Sequence, residues 1–149
     1  MDAKITLRGN VVIERRQDGK VIEREELKNL IVNAGKTEVA KLLTAGEASD
    51  AFSYIAIGEG SSAPAVGDTT LETEQERELA DDSGGKYEAD YKCIFENTFT
   101  FASGVSYSIT EAGIFNDATV GDMLDRFTFT AKAVDSDTDL YVKVTITVA

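Results

Sequence analysis

The stretch Leu-Tyr-Val-Lys-Val-Thr-Ile-Thr-Val at residues 140–148 is the clearest guide to the fold. Aliphatic side chains occupy every second position, and Tyr, Lys or Thr occupies the positions between them. Successive side chains of a β-strand point to opposite faces of the sheet, so this alternation is typical of a strand that buries one face and exposes the other. Leu140–Val148 is therefore predicted to form a half-buried strand.

Four further runs, towards the N-terminus, have the composition of strands. They are rich in β-branched and aromatic residues, and glycine-containing turns separate several of them. These runs are Phe52–Ile57, Tyr87–Phe101, Val105–Phe115 and Met123–Ala131. Several strands with one clear helix predict a mainly β protein, built as a β-sandwich or a barrel-like domain.

One substantial helix is predicted at Asn33–Ala45. Asn33 is expected to cap its first turn, because an asparagine side-chain oxygen can accept the backbone N–H groups there. Gly46 is placed to end the helix. The helix is expected to bury an apolar face formed by Val39, Ala40, Leu42 and Leu43.

The N-terminal segment is predicted to form a β-hairpin at Asn10–Glu26, since Asp18-Gly19 favours a two-residue hairpin turn. Residues 1–28 contain seven bases and six acids, a net charge of +1. Residues 29–149 contain the remaining eight bases and 21 acids, a net charge of −13. This contrast predicts a hairpin arm at 1–28 and a β-rich domain at 29–149, within one globular unit.

The arm has little apolar surface and is expected to dock on a neighbouring subunit or a sister chain. Arg15, Arg16 and Arg24 are the predicted contacts, because guanidinium groups suit interface ion pairs better than lysine does. The alternative is an ordinary pair of edge strands that completes the same sheet and exposes its charges to solvent.

The composition disfavours several classes of function. The 149 residues include no histidine and a single cysteine, Cys93, so the commonest general base, the commonest metal ligand and any disulfide within the chain are missing. A net charge of −12 disfavours direct binding to nucleic acid. No apolar run approaches the roughly 20 residues of a membrane helix, and the N-terminus has no signal-peptide pattern. We expect a protein without enzymatic activity or cofactor, made in a cytoplasm.

Three motifs that resemble chemical sites have simpler structural interpretations. Asp135–Asp139 has acids at alternate positions, as in calcium loops, but Leu140 stands where the loop glycine belongs, so we expect no structural metal. Gly58–Ser62 lacks the remaining residues of a nucleotide-binding loop and is expected to be a turn. Arg77 and Arg126 lie among acids, which favours structural ion pairs over substrate binding.

Several short motifs, taken in order, resemble a family of small virion proteins of tailed bacteriophages. The resemblance covers about residues 29–148, and its motifs have the character of turns and of acid–arginine pairs rather than of a catalytic set. The motifs are Asn29-Leu30-Ile31-Val32-Asn33-Ala34-Gly35, Tyr54-Ile55-Ala56-Ile57-Gly58-Glu59-Gly60, Ser62-Ala63-Pro64-Ala65, Gly67-Asp68-Thr69-Thr70-Leu71 with Glu74 and Arg77, Ile109-Thr110-Glu111-Ala112-Gly113-Ile114-Phe115-Asn116, and Gly121-Asp122-Met123-Leu124-Asp125-Arg126.

The resemblance implies a structural role in the phage particle. Some related sequences resemble capsid decoration, or cement, proteins, and others resemble tail or baseplate components. Decoration is the expectation here, because the chain is short and its N-terminal hairpin has the character of an arm. Cement proteins of this class resemble β-rich trimers that bind the major capsid protein on the outer surface of the head and strap it against internal pressure. A tail or baseplate component is the alternative.

Overall fold

The computed structural model describes residues 2–47 and 49–149, so Met1 of the predicted arm and Ala48 of the predicted domain lie outside the description. The protein is mainly β, with two five-stranded antiparallel sheets packed face to face. Sheet A has the order β2-β1-β10-β7-β6, and sheet B has the order β3-β9-β8-β4-β5. The elements are β1 (Leu7–Gln17), β2 (Lys20–Lys28), β3 (Leu30–Ile31), α1 (Asn33–Leu42), β4 (Tyr54–Gly58), β5 (Glu74–Leu79), α2 (Asp81–Gly84), β6 (Lys86–Glu88), β7 (Lys92–Phe99), β8 (Tyr107–Phe115), β9 (Met123–Val134) and β10 (Asp139–Val148).

The C-terminal alternating stretch forms β10, the central strand of sheet A. Leu140, Val142, Val144 and Ile146 are buried in the core between the two sheets, and the residues between them are half-buried on the other face. The predicted half-buried strand is therefore confirmed. Each of these aliphatic side chains contributes about 1.5–3 kcal/mol through its removal from water.

Sheet B buries side chains on both of its faces. Its inner face supplies Ile55, Ile57, Ile114 and Phe127 to the main core. A smaller apolar cluster lies apart from that core and consists of Val32, Ala56, Leu71, Phe115 and Met123. The segment between β4 and β5 contributes Leu71 to this cluster, and the start of α1 lies beside it. The outer face of sheet B is therefore covered rather than open to solvent.

The predicted helix is present but differs at both ends and in its buried face. It runs Asn33–Leu42, its N-cap residue is Val32, and no side chain caps it, so the predictions of an Asn33 cap and of an end at Gly46 were wrong. Leu43, predicted to be buried, is 81% exposed. The helix instead approaches β9 through Gly35, where a Cβ would come within 2.3 Å of the Leu124 carbonyl oxygen.

One strand prediction was wrong, and one strand was not predicted. The run Tyr87–Phe101 is not one strand but a hairpin of β6 and β7, with positive φ angles of 62° and 66° at Asp90 and Tyr91. The edge strand β5 was not predicted, because it alternates glutamates rather than apolar residues. Its Glu78 accepts a hydrogen bond of 2.8 Å from Asn97 of β7, and charges at such an edge discourage pairing with other chains.

The N-terminal hairpin continues sheet A. Its turn has positive φ angles of 51° and 75° at Asp18 and Gly19, as a two-residue hairpin turn requires. β1 pairs with β10 from Leu7, opposite Val148, to Arg16, opposite Asp139. β2 thus forms the edge, and docking of this hairpin on a particle stays a prediction. Among the described residues, no helix has the length and apolar character needed to cross a bilayer.

The pairing of β1 with β10 leads to a test of stability. Ile13 of β1 is completely buried, whereas Val21 of β2 is 48% exposed. We expect Ile13→Ala to lower the free energy of unfolding by about 3 kcal/mol, because it leaves a cavity in the core. Val21→Ala is the matched control and should change it by less than ~0.5 kcal/mol. Urea unfolding of both variants measures the difference, and equal small effects would show that the hairpin is not part of the core.

Candidate functional site

The most densely bonded polar site lies on the outer face of sheet B and is centred on Glu111 of β8. The Glu111 carboxylate is completely buried. Its Oε1 accepts backbone hydrogen bonds from Gly60 at 3.0 Å and from Thr73 at 2.7 Å, and its Oε2 accepts one from Glu72 at 3.0 Å. A single side chain thus holds both ends of the segment between β4 and β5.

Arg126 of β9 supplies the positive charge that balances this carboxylate. Its Nε donates to Glu111 Oε2 at 3.0 Å, and its Nη2 lies 2.9 Å from the same oxygen. Its Nη1 donates to Asp68 Oδ2 at 3.1 Å. The Arg126 side chain is only 3% exposed, whereas that of Asp68 is 25% exposed. We call Glu111, Arg126 and Asp68 the Glu111 cluster, in which a buried ion pair meets a partly exposed carboxylate.

The glycine-bearing loop after β4 owes its composition to this cluster. A Cβ on Gly60 would lie 2.6 Å from Glu111 Oε1, too close for any other residue without movement. The neighbouring Glu59 accepts from the Gln75 side chain at 2.7 Å and from the Ser108 backbone at 2.8 Å. Gly58, predicted to lie in a turn, is instead the last residue of β4, and Glu59–Ser62 form an irregular connection.

Arg77 of β5 fixes a second loop in a similar way. Its guanidinium carbon lies 3.8 Å from the centre of the Phe115 ring. It pairs with Glu74 at 2.7 Å and donates to the backbone oxygens of Asp117 and Val120, both at 2.9 Å. Both Arg77 and Arg126 therefore take part in ion pairs, as predicted. Residues of four of the motifs that carry the sequence resemblance, separated by up to about sixty residues, meet in these two sets of contacts.

A buried carboxylate that the sequence analysis did not single out is Asp125, next to Arg126 in β9. It is completely buried and accepts a hydrogen bond of 2.9 Å from the Ile114 backbone and another from the Asn29 side chain. Removal from water outweighs these bonds and raises the pKa of Asp125 to about 7. The available signal was its position in a strand, with the apolar residues Met123 and Phe127 two positions away on either side.

The predicted arm contacts lie in the N-terminal hairpin and are paired within it. Arg15 lies 2.6 Å from Glu23, and Arg16 lies 2.5 Å from Glu14 with its guanidinium over the Tyr141 ring. Arg24 contacts Glu26 at 2.6 Å and Glu14 at 3.4 Å. A partner could bind these three arginines only if its own carboxylates replaced those of Glu14, Glu23 and Glu26.

The remaining sequence candidates have local roles. Cys93 lies in β7 opposite Ile146, and burial raises the pKa of its thiol, which disfavours the reactive thiolate. In the loop before β10, the Asp135 carboxylate accepts the backbone N–H of Asp137 at 2.9 Å. In residues 2–47 and 49–149, no group of three or more Cys, Asp or Glu side chains is arranged to hold a metal ion.

No family model matches the sequence, and no curated protein matches it.

Neutralising the Glu111 carboxylate tests the role of the Glu111 cluster. We expect Glu111→Gln to lower the free energy of unfolding by about 3–4 kcal/mol, because Arg126 is left as a buried cation without its main partner. Glu88→Gln, at an exposed position of β6, is the matched control and should have little effect. Denaturant unfolding measures both values, and a change below ~1 kcal/mol for Glu111→Gln would contradict this role.

The raised pKa of Asp125 predicts a pH dependence of a definite sign. The folded state binds this proton more tightly than the unfolded state, in which the carboxyl has its ordinary pKa near 3.8. The contribution of Asp125 to stability is therefore largest below about pH 4 and declines as the pH rises to about 7.

Asp125→Asn removes the titration, so the stability of the variant relative to the wild type should rise by up to ~4 kcal/mol between pH 4 and pH 7. Val21→Ala, an exposed substitution that removes no ionisable group, is the control and should show a flat difference. Unfolding curves at several pH values measure it, and a flat difference for Asp125→Asn would show that burial does not hold this proton.

Proposed function

We propose that the chain is a structural protein of a tailed-bacteriophage particle, and specifically a capsid decoration protein that binds the outer surface of the head and stabilises it. The observation that carries the proposal is the meeting of the motifs of the phage resemblance. Residues from four of the motifs, among them Gly60, Asp68, Glu111 and Arg126, are joined in one network around the buried Glu111 carboxylate. In this network each group fixes a loop of the protein.

The chemistry of the Glu111 cluster supports an architectural role over a catalytic one. Acid–base catalysis by carboxylates needs a group that can reach a substrate and exchange a proton with it. The Glu111 carboxylate is out of contact with solvent and is surrounded by backbone N–H groups and by Arg126. Its lone pairs are used to hold the β4–β5 segment against the sheet.

The proposed partners are the major capsid protein and two further copies of this chain, as in the trimers that the resemblance implies. A compact sandwich with both sheets fixed by a common core suits a protein that has to resist strain at a particle surface. In this proposal the N-terminal hairpin contacts the neighbouring subunit through Arg15, Arg16 and Arg24, which lie at its turn end. Its function does not require a cofactor, nucleic acid or a membrane.

The number of copies in each particle tests this function. In purified particles of the phage that encodes the chain, quantitative gel or mass-spectrometric analysis against the major capsid protein gives that number. Hundreds of copies are expected of a decoration protein. A few to a few dozen copies would place the chain in the tail or baseplate instead, and its absence from the particles would contradict the proposal altogether.

A further inference from the structure

A groove with an unusual combination of charge and apolar surface lies between α1 and the first residues of β1. One half, of about 540 Å³, is lined by Arg8, Lys28 and Lys36. The other half, of about 580 Å³, is lined by Lys4, Thr6 and Lys36 and otherwise by aliphatic residues, among them Ile5 and Leu43, which are 73% and 81% exposed. Leu7, Ile31 and Lys36 line both halves, so we treat them as one site and call it the β1–α1 groove.

The cations of the β1–α1 groove differ from the arginines elsewhere in the chain. Within the part of the chain that the structure describes, none of Arg8, Lys28 and Lys36 forms an ion pair or donates a side-chain hydrogen bond to a carboxylate. All three are exposed. In a protein of net charge −12 with 27 acids, three adjacent uncompensated cations form a local positive site.

The surroundings of the groove determine which anion can occupy it. At physiological ionic strength a charge acts over about 8 Å, so the cations of the groove dominate within it and the acidic remainder dominates beyond it. A nucleic acid duplex or an anionic membrane extends far past the groove and would meet that acidic surface. A short segment of another protein would not.

The apolar half of the groove specifies the rest of the ligand. Covering exposed Ile and Leu side chains stabilises a complex by about 25 cal/mol for each Å² of apolar surface removed from water. An apolar side chain of the partner can cover them without the cost of desolvating a polar group. We propose that the β1–α1 groove binds a short segment of another protein in which carboxylate and aliphatic side chains alternate. This site is distinct from Arg15, Arg16 and Arg24, and it does not depend on the proposed role in a particle.

The test uses the whole chain labelled with ¹⁵N and a synthetic peptide of sequence GELELELG as the probe. Amide shifts should change at residues 5–10, 28–31 and 36–43 as the peptide is added. The variant R8Q/K28Q/K36Q should bind about tenfold more weakly, because it loses the small binding free energies of three exposed ion pairs. K20Q/K92Q/K143Q removes the same charge at lysines that do not line the groove and should bind like the wild type.

The apolar half has its own matched pair. I5S/L43S should weaken binding, whereas V21S/I22S, at aliphatic residues of the hairpin edge that are 48% and 42% exposed, should not. The ¹⁵N spectra show directly whether each variant is folded. Absence of shifts at the groove, or equal weakening in both charge variants, would overturn the proposal.

Other occupants would overturn it as well. Stronger binding of duplex DNA, or of vesicles containing anionic lipid, with loss in R8Q/K28Q/K36Q alone would assign the groove to a polyanion. Self-association in sedimentation equilibrium that R8Q/K28Q/K36Q abolishes would assign it to a second copy. The copy number in particles is independent of all these outcomes, so failure of the groove proposal and failure of the proposed function are distinguishable.

Discussion

The burial of one carboxylate, that of Glu111, is the constraint on which the segments that cover the outer face of sheet B depend. A buried charge without partners costs several kcal/mol, so the fold has to bring donors to it from elsewhere in the chain. Arg126 comes from the next strand, and the backbone N–H groups come from both ends of the β4–β5 segment. The glycine at position 60 and the acid at position 68 follow from the same requirement, because the first allows close approach and the second completes the charge balance.

The organisation of sheet A follows a different principle. Sheet A is ordered by the alternation of apolar residues along β10 and β1, in which a shift of one residue would expose the whole buried set. Polar contacts also join this sheet to the other: Glu25 of β2 accepts a hydrogen bond of 2.8 Å from the buried Lys132 of β9, and Glu78 of β5 accepts one of 2.8 Å from Asn97 of β7. The hairpin is therefore held by its apolar face along β1 and by an ion pair along β2.

These two principles explain which parts of the structure the sequence could predict. Apolar alternation is visible in the sequence, and the strands at Leu140–Val148 and Met123–Ala131 were predicted with nearly correct bounds. The cap of α1 and the strand β5 were missed, because the first depends on the contact of Gly35 with Leu124 and the second carries glutamates in place of apolar residues. The ion pair of Arg126 could be anticipated from its acidic neighbours, but its partner Glu111, fifteen positions away, is defined only by strand pairing.

The distribution of charge partners, rather than net charge, determines where an acidic protein of this kind can attract another molecule. The hairpin arginines that the sequence singled out satisfy neighbouring carboxylates, so their fields largely cancel at short range. Arg8 and Lys28 belong to the same basic segment but lie at its opposite end, where the structure places Lys36 of α1 beside them and no acid in an ion pair with them. The unpaired positive charges of Arg8 and Lys28 therefore lie at the β1–α1 groove rather than at the hairpin turn. The groove adjoins α1, the only substantial helix in the described chain, and the exposed aliphatic side chains beside it.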